Sequence, residues 1–317
     1  MPTAGGSDET VVMAVGGNAL APSGLSRFDD QMERAREVAR HAVSLLEGGR
    51  RLVLVHGNGP QVGALALAQE AVAPDVPPQP LHVLGAMTQG QLGYLLCQAI
   101  GDEMAGKGLE RRVGAVMTQV VVDAGDPAFS VPTKPIGPFF SAGRARRLAH
   151  ARGWTVAEDS GRGWRRVVAS PDPLEIVEWR QVEAMLRDRE VVITCGGGGV
   201  PVAREGGRLT GVEAVIDKDL SAARVGALVG ATTLLLLTAV DRVALNFGTE
   251  RQRFLRRLTA GQARRHLADG QFPPGSMGPK MEAAVRFVEA GGREAIITSL
   301  ERGPAALAGH AGTKIVP

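Results

Sequence analysis

Apolar residues along the chain fall into two alternating kinds of stretch. Short, nearly unbroken runs at Thr10 to Val15, Arg51 to Val55, Val113 to Val122, Glu190 to Cys195, Thr232 to Thr238 and Glu294 to Thr298 read as strands buried on both faces. Between them, apolar positions recur at helical spacing. From about Asp29 to Glu47 the stripe is Ala35, Val38, Ala39, Ala42, Leu45 and Leu46, and Gly48-Gly49 supplies a stop. The same spacing predicts helices near Leu84 to Ala105, Leu174 to Arg187, Leu220 to Leu228, Gly261 to Asp269 and Pro279 to Glu289, with a hairpin at Gly206-Gly207. Strands alternating with helices imply an α/β fold with three αβα layers around an open, mainly parallel sheet. From Asp123 to Pro173 the pattern dissolves into Gly, Pro and Arg. That segment is too long for a plain connection and predicts a lid or small protruding subdomain.

Composition narrows this picture only in places. The length of 317 residues and 44% apolar content allow a sizeable core, as one large unit or roughly two of ~150 residues. The net charge of +3 comes from dispersed arginines without interleaved aromatics, which argues against a nucleic-acid partner. Cys97 and Cys195 make neither a disulfide framework nor a metal-ligand spacing. Met1 to Thr10 is polar, and the longest apolar run, Thr232 to Val240, is short of the ~20 residues that span a bilayer. No membrane association and a cytoplasmic location are therefore expected.

Lysine usage points to chemistry. Of 36 basic residues only five are lysine, so lysine is not the default surface cation. Lys134, Lys218 and Lys280 lie in stretches dense in glycine, proline or acid, and a compact ammonium suits a moving phosphoryl group better than a guanidinium. Codon bias is the competing reading. Gly16-Gly17-Asn18 and Gly57-Asn58-Gly59 each follow a strand and precede a helix, where backbone N–H groups meet anions. Gly57-x-Gly59 with Gly63 mimics a dinucleotide fingerprint. The acidic residue required some ~20 positions on is replaced by Val76-Pro77-Pro78-Gln79-Pro80, which argues against NAD. No P-loop motif occurs. Gly196-Gly197-Gly198-Gly199 reads as a turn letting backbone pass near a ligand, and His56 as packing at a strand end or as a chemical group. Asp219 is either a helix cap or an acceptor holding lysines toward a shared anion.

Eight stretches in order resemble carbamate kinase, a member of the amino-acid kinase fold. They are Val15-Gly16-Gly17-Asn18-Ala19-Leu20, His56 to Gly63, Ala86-Met87-Thr88-Gln89-Gly90, Thr133 to Phe139, Gly161-Arg162-Gly163-Trp164-Arg165, Cys195 to Gly199, Val212 to Asp219 and Pro274 to Lys280. The resemblance implies one domain over residues 1–317, with an acceptor-binding half to about residue 200 that carries the 123–173 lid, and a nucleotide-binding half beyond it. It implies reversible in-line transfer between ATP with carbamate and ADP with carbamoyl phosphate, run toward ATP in arginine catabolism, in a homodimer. Magnesium comes with the ATP or ADP, with no metal ligand from the protein. By motif, Gly16, Gly17, Asn18, Gly57, Asn58 and Gly59 hold carbamate and the phosphoryl group; Lys134, Lys218 and Lys280 neutralise it; Asp219 orients the lysines. Nucleotide is expected at Thr238, Ala239, Val240, Asp241, Met277 and Lys280. Ala14 stands where other members of the fold carry a lysine, which suits carbamate kinase rather than acetylglutamate kinase. Arg242 and Phe247 depart from the aromatic residue and the tyrosine usual near adenine. A kinase for another small acylphosphate and a non-catalytic nucleotide- or carbamoyl-phosphate-binding regulator are the alternatives.

Overall fold

A computed structural model describes residues 9–21, 27–46, 49–159, 161–188, 191–273 and 275–317. The chain opens with β1 (Thr10–Val15), the single-turn α1 (Gly17–Leu20) and the long α2 (Phe28–Leu46). β2 (Arg51–His56) feeds α3 (Gly59–Ala71), and α4 (Leu81–Gly106) returns to β3 (Val113–Ala115) and β4 (Gln119–Val122). A small unit follows, made of β5 (Lys134–Phe140), α5 (Ala142–Arg152), β6 (Thr155–Glu158) and β7 (Trp164–Val168). β8 (Glu175–Ile176) and α6 (Trp179–Arg187) lead to β9 (Val191–Ile193). The hairpin of β10 (Val200–Glu205) and β11 (Arg208–Gly211) precedes α7 (Lys218–Leu228). The last third carries β12 (Thr233–Thr238), β13 (Ala244–Leu245), β14 (Arg253–Phe254), β15 (Arg257–Thr259), α8 (Ala260–Ala268), α9 (Met277–Glu289), β16 (Glu294–Ser299), α10 (Gly303–Leu307) and β17 (Thr313–Val316).

The central sheet has the order β15-β17-β16-β12-β1-β2-β9-β3, parallel except where β17 meets β16. Its apolar runs are buried on both sides because helices cover both. Val12, Ala14, Val53, Leu234 and Leu236 face α7 and α9, whereas Val11, Met13, Leu52, Leu54 and Leu235 face α2 and α4. Leaving β1, the chain goes to β2 on one side, while β12 pairs on the other. The crevice at the carboxyl ends of these strands is a topological switch point, where open α/β sheets gather ligands.

Three expectations change. The stretch Val113 to Val122 is two strands in different sheets, because the turn at Thr118 is held by the amide of Gln89 on both its N–H and its carbonyl. The helix expected from Leu174 starts at Trp179. Leu174 and Val177 instead donate backbone N–H groups to β4, after a Pro-containing approach that disfavours helix. The helix expected from Leu220 starts at Lys218. The segment 123–173 has regular structure of its own, the antiparallel sheet β5-β7-β6 with α5 against it. It docks on α3 through bare backbone, since a Cβ on Gly63 would stand 2.0 Å from Gly137 N. The expected helix end at Glu47 with its stop at Gly48, and the strand start at Glu190, lie outside the described residues. No described helix is long and apolar enough to cross a membrane.

Candidate active site

β1 and β2 run in register with Val15 beside His56, so the turns that leave them emerge side by side. Gly57 N–H donates to Val15 O at 2.8 Å and locks the second turn onto the first. This closeness admits no side chain: a Cβ on Gly57 would stand 2.6 Å from Gly17 N and 3.2 Å from Lys218 Cδ. Gly57 therefore serves the site by its lack of bulk, its own N–H being engaged. Gly16 has open space on its side-chain side. Gly16 precedes α1 and Asn58 precedes α3, neither capping through a side chain, so first-turn N–H groups stay available to an anion. Gly16, Gly17, Gly57, Asn58 and Gly59 are thus brought together. Asn18 lies in α1 beside them, with its side chain outside the described residues.

Asn58 is buried and held in one orientation. Its Nδ2 donates at 2.8 Å to Thr88 Oγ1, whose own proton goes to Gly85 O at 2.8 Å. The run Gly196 to Gly199, expected to lie near a ligand, is buried behind these residues. It packs on His56, the Asn58 amide, Ile216 and Val120, and Ser221 Oγ donates to Gly198 O at 2.7 Å. His56 is buried, its pKa pushed down to about 4 by desolvation, and its Nδ1 lies 3.2 Å from Gly57 O. It sits as a neutral, packed strand-end residue.

The three suspect lysines converge. Asp217, not Asp219, is the N-cap of α7, its Oδ1 accepting from Asp219 N–H at 2.8 Å. That leaves both carboxylate oxygens of Asp219 free for cations: Oδ1 accepts from Lys218 Nζ at 2.6 Å and Oδ2 from Lys280 Nζ at 2.8 Å. Lys134 Nζ arrives from β5 and donates to Asp217 Oδ2 at 2.5 Å. Three ammoniums against two carboxylates leave one positive charge beside two open helix N-termini. The lysines outside this cluster pair elsewhere, Lys107 with Glu103 and the partly buried Lys314 with Glu294. Burial raises the pKa of both aspartates, but the ammoniums more than offset it, so both carboxyls lie below the usual carboxylate range. Lys218 is the most deeply buried lysine, 9% exposed; desolvation, with repulsion from Lys280, pushes it down to about 8. Lys280 moves the other way, because Asp219 and Asp217 outweigh its burial. Asp217 was not singled out as a site residue from the sequence; its position at the first acid of Asp217-Lys218-Asp219, directly before the helix, was the available signal.

Beyond the carboxyl end of β12, Ala239, Val240 and Asp241 line a cavity of about 650 Å³ together with Arg242, Phe247, Phe254, Arg302 and His310. Thr238 ends β12 just before it. Met277 opens α9, the helix that carries Lys280, and packs partly buried against the core rather than among the lining residues. A larger cavity of about 750 Å³, lined by Arg257, Arg293, Glu294 and Lys314, lies at the opposite ends of β15 and β16, away from the cluster of Lys134, Lys218 and Lys280 and from the glycine turns.

This arrangement of backbone donors, paired lysines and a cavity at the same edge of the sheet is suited to holding and transferring a phosphoryl group. Residues 9–299 match the model of the amino acid kinase family. The carbamate kinase of Pyrococcus furiosus is 46% identical over 310 residues, covering 97% of this chain and 99% of the relative. Among solved structures, a carbamate kinase from Giardia lamblia bound to citric acid superposes with a TM-score of 0.93 at 39% identity, covering 98% of this chain and 99% of that one. The Giardia lamblia enzyme bound to AMP-PNP gives 0.88 at 38% identity with the same coverage. The chain belongs to the carbamate kinases of the amino acid kinase family.

Proposed function

We propose that this protein transfers a phosphoryl group reversibly between ATP with carbamate and ADP with carbamoyl phosphate, by direct in-line displacement. The observation that carries this reading is the convergence of Lys134, Lys218 and Lys280 on Asp217 and Asp219 beside the two glycine turns. Phosphoryl transfer asks chiefly for positioning and for neutralisation of charge on the moving group. Gly16, Gly17 and Asn18 offer backbone donors to the phosphoryl oxygens, and Gly57, Asn58 and Gly59 shape the acceptor side. The lysines neutralise the group in flight, Asp219 aiming Lys218 and Lys280 while Asp217 aims Lys134. No covalent enzyme intermediate is required.

The nucleotide occupies the cavity past β12, over Thr238 to Asp241 and toward Met277 and Lys280, with Phe247 and Phe254 beside the base. The 650 Å³ volume suits a nucleotide of that size. Magnesium is a passenger on the nucleotide phosphates in this reading, the carboxylates of Asp217 and Asp219 being committed to the lysines and a backbone N–H. Bound there, the ion draws charge from the phosphates. Residues 1–317 form one domain in this reading, with residues 1–200 serving the acceptor, residues 123–173 as the lid and residues 201–317 serving the nucleotide. A homodimer is supported by the exposed Met87 and Tyr94 on α4 and Met117 nearby in sequence to β4. The physiological direction is toward ATP, in arginine catabolism, in the cytoplasm.

Purified protein given ADP, magnesium and carbamoyl phosphate should form ATP. Nucleotide binding without ATP formation favours the regulator instead, and ATP formation faster from acetyl phosphate than from carbamoyl phosphate favours a kinase of another small acid.

A further inference from the structure

Arg165, on β7 of the small unit, is buried to 4% exposure. Its Nε donates to Gly137 O at 2.9 Å and its Nη1 to Asp159 Oδ2 at 3.0 Å, with the guanidinium over the Phe139 ring at 5.1 Å. The third corner, Nη2, is buried with no hydrogen-bond partner among the described residues. An unused donor on a buried cation is costly to keep, and such a group in a folded protein asks for an explanation.

What Nη2 faces supplies one. A Cβ on Gly59 would stand 3.8 Å from Nη2 and 3.4 Å from Pro135 O, so the guanidinium corner looks at the first residue of α3. That helix is 13 residues long and has no side-chain cap, and the N–H groups of Gly59 and Gln61 have no backbone acceptor among the described residues. A cation and the positive end of a helix therefore meet with donors on both sides. An anionic oxygen between them satisfies both. The amide of Gln61, in the same turn and 7% exposed, is likewise buried without a partner at either atom. A ligand group that carries both an acceptor oxygen and an N–H, the carboxylate oxygen of carbamate or the carbonyl oxygen of a carbamoyl group, answers Arg165 and Gln61 together.

We infer that Arg165 is an acceptor-binding residue whose Nη2, with the N-terminus of α3, receives the carboxylate oxygen of carbamate that persists as the carbamoyl oxygen of carbamoyl phosphate. The assignment rests on the proposed function of the neighbouring lysine cluster. It places recognition of the acceptor on the small unit, through the same unit that supplies Lys134 from β5. Lysine cannot replace Arg165, because the fork makes three separate engagements and an ammonium reaches one of them.

The test compares wild-type protein with Arg165→Met, Arg165→Lys and Gly59→Ala in the ATP-forming direction. Gly59→Ala is the variant that keeps the fold, since alanine suits the first turn of a helix and its methyl meets only ordinary contacts, yet it fills the space in front of Nη2. Each variant should raise KM for carbamoyl phosphate by about tenfold to a hundredfold while KM for ADP stays within about twofold. Inorganic phosphate, as a competitor of carbamoyl phosphate, should keep its inhibition constant within about twofold, because it occupies the lysines rather than the Arg165 corner. An unchanged KM for carbamoyl phosphate in Gly59→Ala and in a folded Arg165 variant overturns the inference, as does a parallel rise for ADP. A phosphate constant that rises with KM moves Arg165 to the phosphoryl group and also overturns it. Absence of ATP formation by the wild-type protein is a different result and strikes the proposed function itself.

Discussion

The lysine cluster and the cavity beyond β12 lie at the same edge of the central sheet but are built on opposite terms. In the cluster, Lys218 and Asp219 are buried, every carboxylate oxygen of Asp217 and Asp219 is engaged, and a Cβ on Gly57 has no room. In the cavity, Phe247 is 63% and Phe254 57% exposed, and Asp241 and Arg302 approach only to 3.8 Å at the surface. Buried, mutually dependent charges fix a geometry and penalise loss of one partner, whereas exposed contacts are screened and adjust. The difference teaches where this chain has freedom. Arg242 and Phe247, its departures from the pattern usual near adenine, both line the permissive cavity, whereas Lys134, Lys218, Lys280 and Asp219 of the proposed phosphoryl site come together in one cluster.

The contrast can be broken by substitution. Lys218→Arg keeps the charge but cannot seat a planar fork between Asp219 and Gly57, and should lower kcat/KM for ATP formation by about a thousandfold or more. Near-normal turnover would remove the case for a compact ammonium. Asp217→Asn should cost about tenfold to a hundredfold in kcat with little change in KM for ADP, because Lys134 loses its charged partner while the amide oxygen still caps α7. Equal losses for both substrates would show the cap, not the lysine, to be what matters. The pH profile carries a smaller effect. Lys218 is protonated and active below its pKa of about 8, so kcat/KM should fall on the alkaline side, about tenfold per pH unit above that value. A bound phosphoryl anion favours the charged form, so the same limb in kcat should lie at higher pH; identical limbs would assign the titration to another group. Smallest of all, Phe247→Ala should raise KM for ADP less than about fivefold and leave kcat unchanged. A loss as large as that from Asp217→Asn would erase the distinction between the two regions.

Both regions were legible in the sequence to unequal depth, as was the fold. β1, β2, β12 and β16 were readable because burial on both faces leaves unbroken apolar runs, and α2 because its stripe repeats at helical spacing. The sheet β5-β7-β6 was not, since arginines such as Arg165 and Arg166 interrupt its apolar pattern, and the acid that pairs with Arg166, Glu70, comes from a distant part of the chain. The start of α7 shows how much a small error can hide. Reading the helix from Leu220 made Asp219 its candidate cap; two residues earlier, Asp217 caps and Asp219 is released to hold Lys218 and Lys280. Lysine scarcity located all three cations, but which aspartate holds which lysine is set by β5 and α9 arriving from distant parts of the chain.

The most direct test of the lysine cluster as the phosphoryl site is a crystal structure of the protein with ADP, magnesium and inorganic phosphate. The phosphate should lie about 3 Å from Nζ of Lys218 and Lys280 and from first-turn N–H groups of α1, between the two glycine turns and facing the nucleotide cavity. Phosphate absent there and bound instead at the cavity of Arg257, Arg293 and Lys314 would contradict the account.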